Sequence, residues 1–297
     1  MRFFNYALMV AATAAAQRPT DTPICDYYTT ALLKDNTAEN QAALLTVLVN
    51  TVVIGNYTMP NVGIKVPGIL APGKVGSEDV NLLPYFTGDL ASTNRGGSAG
   101  VSVNFLDGGG AEPLMKNMPA NDKTSNFLLT HLYQYFASLL GCSKQGVPSL
   151  PAYGGHASQY QVHKFMALSN AEVTYFITQV GTAAASFGVS ADDIKIVANA
   201  LMSTFGMKCA PAATVIKAQG PQLQAICISD DCPEAKDATC AAYAKVVEPT
   251  KAGNGTAKPT GGATPTGTGS PTMVPTGGAS MAGLSFAAVV AGIAFAL

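Results

Sequence analysis

The chain has 297 residues, of which 12% are charged and 48% are hydrophobic, and its formal net charge at pH 7 is −1. A soluble domain usually carries about 25% charged residues, so the charge content is low, and a surface without excess positive charge disfavours binding to nucleic acid. No uninterrupted apolar run reaches the roughly 18 residues that a membrane-spanning helix needs, which excludes a bundle of such helices.

Residues 1–16 have the pattern of a secretory signal peptide. Arg2 precedes an apolar run from Phe3 to Ala16, and this run closes in small residues before Gln17. A positive charge, a short apolar segment and small residues are the features that signal peptidase recognises. The sequence therefore predicts a secreted domain that begins at residue 17.

The C-terminal end predicts a lipid anchor on a stalk. Residues 246–281 are rich in Thr, Gly and Pro, a composition that cannot bury enough apolar surface to fold, and residues 282–297 form an uncharged apolar tail. Small residues, a polar spacer and an apolar tail are the signal for glycosylphosphatidylinositol (GPI) attachment, which removes the tail. We therefore expect an extracellular protein, GPI-anchored to the plasma membrane or cell wall; an uncleaved C-terminal anchor is the alternative. The candidate attachment residues are Gly269, Ser270, Gly277 and Gly278.

The chain has six cysteines, an even number that predicts disulfides in a secreted protein. Zinc binding is the alternative, but no Cys-x-x-Cys pair exists and no His lies near the C-terminal cysteines. The sequence does not choose among the pairings. Two Asn-x-Thr sequons, at Asn56 and Asn254, predict a glycoprotein with glycans on a surface loop and on the stalk. The cysteines are Cys25, Cys142, Cys209, Cys227, Cys232 and Cys240.

Residues 17–245 are predicted to form one mainly helical domain. The spacing of apolar residues predicts a helix over residues 37–53, opened by the capping pattern Asn36-x-x-Glu39. Residues 57–120 hold so many Gly and Pro residues that no helix of ordinary length fits there. A loop-rich segment of this size is typical of an insertion with its own function.

Four further helices are predicted after residue 121. The first covers residues 126–140 and ends at Gly141, and the second is a shorter helix over residues 158–168. The capping patterns Ser169-x-x-Glu172 and Ser190-x-x-Asp193 open the last two helices, which run to about residues 187 and 207.

Two of the three histidines lie among apolar residues of predicted helices. His131 lies at the edge of an apolar stripe, and His163 has apolar neighbours on both sides. An imidazole on an apolar face needs a partner to offset its desolvation. It is therefore either a core histidine bonded to a backbone carbonyl or a ligand of a shared cofactor. Haem is such a cofactor, since neutral imidazole is its usual axial ligand in an apolar pocket. The residues that could line this pocket are Phe127, Leu132, Phe136, Phe165, Met166, Phe176, Val180, Leu201 and Phe205.

Four features follow one another over residues 124–209. They are the helix from Phe127 to Cys142, the turn Tyr153-Gly154-Gly155-His156, the segment Val162-His163-Lys164-Phe165-Met166 and the helix from Phe176 to Val189. This order resembles the truncated globins of the protozoan and cyanobacterial group. In that family a distal helix ends in Gly-Gly, a Tyr-x-Gly-Arg turn follows, and a His on the next short helix is the proximal haem ligand. The nearest variant that the resemblance suggests is a secreted, GPI-anchored fungal globin-like protein.

The resemblance implies a globin-like fold of two helices packed over two, with haem b as cofactor. It makes His163 the proximal iron ligand, and it places His131 where some members carry a second His that can coordinate the distal side. Leu128 and Leu132 are then expected to line the distal pocket. The other residues expected at the haem are Tyr153, His156, Phe165, Met166 and Phe176.

The chain departs from the family in several respects. His163 follows Tyr153 one residue later than usual, and the segment 57–120 stands where the family has a short loop. Cys142 stands where the family has its second Gly, and His156 stands where the family has the Arg that meets a haem propionate. The family's distal Tyr falls near Val49 or Asn50, so the usual hydrogen-bond donor to bound oxygen is missing or replaced.

Together these patterns predict a cell-surface haem-binding protein that serves in ligand binding, redox chemistry or haem capture. Its expected partners are haem, a small diatomic ligand and a membrane reached through the lipid anchor. A cofactor-free structural or adhesive cell-wall protein on the same fold is the alternative. An enzymatic function is less favoured, because the sequence has no hydrolase signature and its helices lack the Arg that a peroxidase would place near the haem.

Overall fold

The computed structural model describes residues 17–58, 62–93, 98–107 and 124–253. The predicted signal peptide, the GPI tail, most of the stalk and the sequon at Asn254 lie outside these residues. Within them, seven helices make the fold mainly helical, as the sequence predicted. The helices are α1 (Ile24–Leu33), α2 (Ala38–Ile54), α3 (Leu83–Thr87), α4 (Thr124–Leu139), α5 (Gln159–His163), α6 (Asn170–Ser186) and α7 (Ala191–Phe205).

Five short strands accompany the helices in the described part of the chain. β1 (Gly73–Val75) and β2 (Glu78–Val80) form an antiparallel hairpin. β3 (Leu90–Thr93) lies between β4 (Val101–Ser102) and β5 (Thr250–Lys251) and is antiparallel to both. Four of these strands and the short helix α3 belong to the Gly- and Pro-rich segment 57–120.

The helical core is centred on α2 and α6. Helix α2 packs against α1, α4 and α6, and α7 packs against α6. Apolar side chains of all these helices form one buried cluster, which includes Leu45, Phe136, Val173 and Leu201. Burial of such a face supplies most of the stability of helices of this length.

The structure confirms some helix boundaries and corrects others. Helices α6 and α7 begin where their capping patterns predicted, with the Ser169 and Ser190 hydroxyls accepting backbone N–H groups of the first turn. The predicted cap of α2 is wrong by one residue, because Thr37 rather than Asn36 accepts the amide of Asn40. The predicted helix over residues 158–168 is also too long, since α5 ends at His163 and Ala167 has a φ of 48°.

The six cysteines form three disulfides, as expected of a secreted protein. Cys25–Cys142 joins the start of α1 to the end of α4. The other two bridges, Cys209–Cys240 and Cys227–Cys232, lie after α7. Because these bonds use every cysteine, the zinc alternative is wrong.

Within the described ranges, no single helix is both long and apolar enough to span a membrane. The consecutive helices α1 and α2 satisfy the length and composition together, but the chain bends by 95° between them.

Candidate functional site

Helix α5 is a short helix that carries His163 and is attached at its start to the chain near residue 223. The hydroxyl of Ser158 caps the helix by accepting the amide of Gln161 and donates to the carbonyl of Leu223. The amide of Tyr160 donates to the same carbonyl at 3.3 Å. A five-residue helix is too short to be stable alone, so these contacts hold α5 and the imidazole at its end in place.

The imidazole of His163 is oriented by its own helix. Its Nδ1 lies 2.7 Å from the carbonyl oxygen of Gln159. A carbonyl only accepts hydrogen bonds, so Nδ1 carries the proton and Nε2 keeps a lone pair. Burial lowers the pKa of His163 below its ordinary value, and the bond to Gln159 opposes this effect in part. The side chain is therefore neutral at pH 7, with Nε2 able to bind a metal.

His131 lies on α4 between two aromatic rings. Its ring centroid is 4.2 Å from that of Phe127 and 5.9 Å from that of Tyr153, both in edge-on geometry. Burial lowers the pKa of this imidazole as well. The second candidate ligand is thus also neutral at pH 7, the form that coordinates iron.

Tyr153 links the two histidines. Its ring contacts that of His131, and its hydroxyl accepts a hydrogen bond from Nε2 of the Gln159 side chain at 3.1 Å. The carbonyl of the same Gln159 accepts the Nδ1 proton of His163. We call His131, Tyr153, Gln159 and His163 the histidine cluster. The structure therefore brings three of the residues predicted at the haem into one neighbourhood. Gln159 was missed, although its position four residues before His163 on a helix is the signal that could have found it.

His156 has a local role in the turn before α5. Its side chain is exposed, and its Nδ1 accepts the amide of Ser158 at 3.1 Å. Its carbonyl oxygen accepts the hydroxyl of Tyr153 at 3.0 Å. These bonds shape the turn that carries Tyr153 into the histidine cluster.

The remaining predicted haem residues lie on the surrounding elements. Leu132, Met166 and Phe176 are partly buried and pack against the hydrophobic core. Phe165 is buried, and Leu128 is partly buried on α4. None of the ring contacts and hydrogen bonds given above for the histidine cluster involves these five residues.

An apolar cleft lies elsewhere in the helical core, and it was not predicted. It is bounded by α1, α2, the end of α4, α6 and α7. Three residues predicted to line a haem pocket, Phe136, Val180 and Leu201, line this cleft instead. Neither His131 nor His163 belongs to its wall, so the cleft and the histidine cluster are separate.

Among the residues that the structure describes, no group of three or more His, Cys, Asp or Glu side chains is placed to hold a metal ion. Haem iron differs from a bare metal ion in this respect, because the porphyrin supplies four of its ligands and the protein only one or two.

Comparisons of the chain with protein-family models, with curated proteins and with solved structures give no significant match. The resemblance to truncated globins thus rests on the residues of this sequence.

Proposed function

We propose that the protein binds haem at the cell surface and that His163 is the proximal ligand of the iron. The observation that carries this proposal is the hydrogen bond from Nδ1 of His163 to the carbonyl of Gln159. Histidines that bind metals usually donate their second ring N–H to a carbonyl or a carboxylate, which orients the ring and makes the free nitrogen more basic.

The surroundings of His163 favour the neutral imidazole. Its lowered pKa means that protons do not compete with iron for Nε2 at neutral pH. Phe165, two residues further along the chain, is buried, and Met166 is partly buried. Apolar side chains of this kind suit a porphyrin, whose faces are hydrophobic.

His131 would be the second residue to hold the iron. It lies on a different helix, is neutral at pH 7 and reaches the same tyrosine that contacts Gln159. When bound, haem would supply a redox-active iron that takes small diatomic ligands. A second imidazole on the iron would compete with such ligands and favour a redox or sensing role over storage.

The cofactor-free alternative has its own support. The hydrogen bond from His163 to Gln159 satisfies a core histidine as well as it orients a ligand. Three disulfides would also suit a structural or adhesive wall protein. The two functions differ in whether Nε2 of His163 binds iron.

An absorption spectrum of the purified full chain in its ferric and ferrous states, recorded during titration with haem, separates the two functions. We expect a Soret band for the wild type and its loss in His163→Gly. Free imidazole should restore the band in this variant, because it can occupy the space that the side chain leaves. A merely structural histidine would show no such rescue.

Two further variants complete the experiment. His131→Ala should change the visible bands from those of two imidazoles to those of one, and His156→Asn should behave like the wild type, since an amide oxygen can still accept the Ser158 amide. A wild type without a Soret band, or a His163→Gly variant with unchanged haem affinity, would refute the proposal.

A further inference from the structure

We propose that Gln17 is a modification site, which becomes the first residue of the secreted protein and cyclises to pyroglutamate. The inference rests on the predicted cut of the signal peptide before Gln17 and is independent of haem binding. Ala14 and Ala16 stand three residues and one residue before the new chain end, where signal peptidase selects small residues. The cut therefore leaves a glutamine with a free α-amino group.

The anchored part of the domain begins at the next residue, Arg18. Its Nε and Nη2 atoms lie 2.9 and 2.8 Å from Oδ1 of Asp193, and only 11% of its side chain is exposed. Its guanidinium also donates to the carbonyl of Thr22, and the Thr22 amide donates to the carbonyl of Pro19 at 3.0 Å. The predicted cut thus leaves a single residue, Gln17, in front of an anchored turn.

The side chain of Gln17 is free to react. It is exposed, and within the part of the chain that the structure describes it makes no hydrogen bond. The carboxylate that pairs with Arg18 offers the new α-amine no place, because both of its oxygens are occupied. Oδ1 of this carboxylate accepts the Arg18 guanidinium, and Oδ2 accepts the hydroxyls of Tyr28 and Ser190.

The reaction is an intramolecular exchange of one amide for another. The neutral α-amine of Gln17 attacks Cδ of its own side chain, so that an N–Cδ bond forms and the Cδ–Nε2 bond breaks. One amine proton moves to the leaving nitrogen, which departs as ammonia, and the product is a five-membered lactam. No oxidant, reductant or co-reactant is consumed. The ordinary pKa of an α-amino group lies close to neutrality, so the neutral amine is available.

The lactam would protect the turn that neutralises Asp193. It removes the positive charge of the chain end, and it leaves no α-amine for aminopeptidases, which remove residues one at a time from a free amino end. Trimming past Gln17 would reach Arg18, the counter-charge of a carboxylate that is 5% exposed. The modified end thus keeps the ion pair complete outside the cell.

Amine labelling tests the proposal on the full chain, purified from the eukaryotic cells that express it. The free amines of the intact protein are dimethylated, and the protein is then denatured, reduced and cut with chymotrypsin after Tyr27 or Tyr28. The N-terminal peptide contains no lysine, so a methyl group on it reports the α-amine. We expect mass spectrometry to show a peptide that starts at residue 17, carries no methyl group and lacks one ammonia. A dimethylated amine cannot form the lactam, so cyclisation during digestion is not counted.

Gln17→Asn is the matched control, since it keeps a carboxamide at an exposed position but would need a strained four-membered ring. Its α-amine should therefore be dimethylated. A pyroglutamyl peptidase should remove the first residue from the wild type and not from this variant. A wild-type peptide that starts at Gln17 and carries methyl groups would overturn the cyclisation. A peptide that starts at another residue would overturn the predicted cut, and the proposal with it.

Discussion

The ion pair between Arg18 and Asp193 makes a sharp prediction about stability. The Asp193 carboxylate accepts hydrogen bonds from the Arg18 guanidinium and from the hydroxyl of Tyr28, and it is almost fully buried. Replacing Arg18 by Met keeps an apolar stem of similar length and leaves the carboxylate buried without its counter-charge. Breaking a buried pair in this way costs about 3–5 kcal/mol, and we expect the lower end because the hydroxyls of Tyr28 and Ser190 still donate to the Asp193 carboxylate.

The second ion pair of the described residues is the matched control. On the β1–β2 hairpin, Nζ of Lys74 lies 2.5 Å from Oδ1 of Asp79, and 63% and 83% of the two side chains are exposed. An exposed pair contributes about 0–1 kcal/mol, so Lys74→Met should leave the free energy of unfolding almost unchanged.

Urea unfolding followed by circular dichroism measures both variants. Adding Asp193→Asn to Arg18→Met removes the unpaired charge, and we expect the double variant to regain part of the lost free energy. If Arg18→Met and Lys74→Met lower the free energy of unfolding by the same amount, burial does not make the Arg18–Asp193 pair more important for stability than the exposed pair, and the prediction is wrong.

Three further predictions concern the acid stability, one disulfide and one glycine. Burial alone would raise the pKa of Asp193, but the hydrogen bonds and charge of Arg18, together with the hydroxyl of Tyr28, outweigh it and lower this pKa below 3.8. The stability that the ionised Asp193 contributes is therefore complete above about pH 4, and it is lost as the pH falls through the lowered pKa of the folded state. Acid titration of unfolding should show a smaller loss in Asp193→Asn than in the wild type. Removal of the Cys25–Cys142 bridge by two Ala substitutions should cost about 5 kcal/mol in the chain-entropy model, because the bridge spans 117 residues, and a loss below about 1 kcal/mol in urea would refute this. Gly68→Ala should lower the midpoint of thermal unfolding far more than Gly76→Ala. Both glycines have a positive φ, but only a Cβ at Gly68 would collide with the backbone, since it would lie 2.3 Å from the amide nitrogen of Gly55.

The sequence predicted the helices whose signals are local. Ser169 and Ser190 each lie three residues before an acidic residue and an apolar run, and both cap their helices as expected. At the start of α2 two adjacent residues, Asn36 and Thr37, are both good caps. Thr37 takes this role, and the Asn36 side chain instead accepts a hydrogen bond from buried Gln41.

Helix α1 was not predicted because its stabilisation is distant in sequence. It begins after Pro23 without a side-chain cap, and it is held by the Cys25–Cys142 bridge and by the bond from the Cys25 amide to the carbonyl of Leu140. The apolar cleft was missed for the same reason, since α1 forms one of its walls.

The contacts of the candidate site also include one that is local in sequence and one that is not. The hydrogen bond between His163 and Gln159 joins residues one helical turn apart and follows from the predicted helix. The contact of His131 with Tyr153 joins residues on different elements, and only the packing of the turn after α4 places them together. That haem occupies this neighbourhood stays a prediction.

The pairing of β5 with β3 decides how the domain would respond to tension on a C-terminal tether. Residues Thr250 and Lys251 pair with only two residues of β3, so tension from the C-terminal side would first detach this short strand. Peeling would then proceed back along the chain to Cys240, where the bond to Cys209 stops it. The Cys209–Cys240 disulfide would therefore carry the load. The residues after Cys240 would extend before any force reached the helices that precede Cys209.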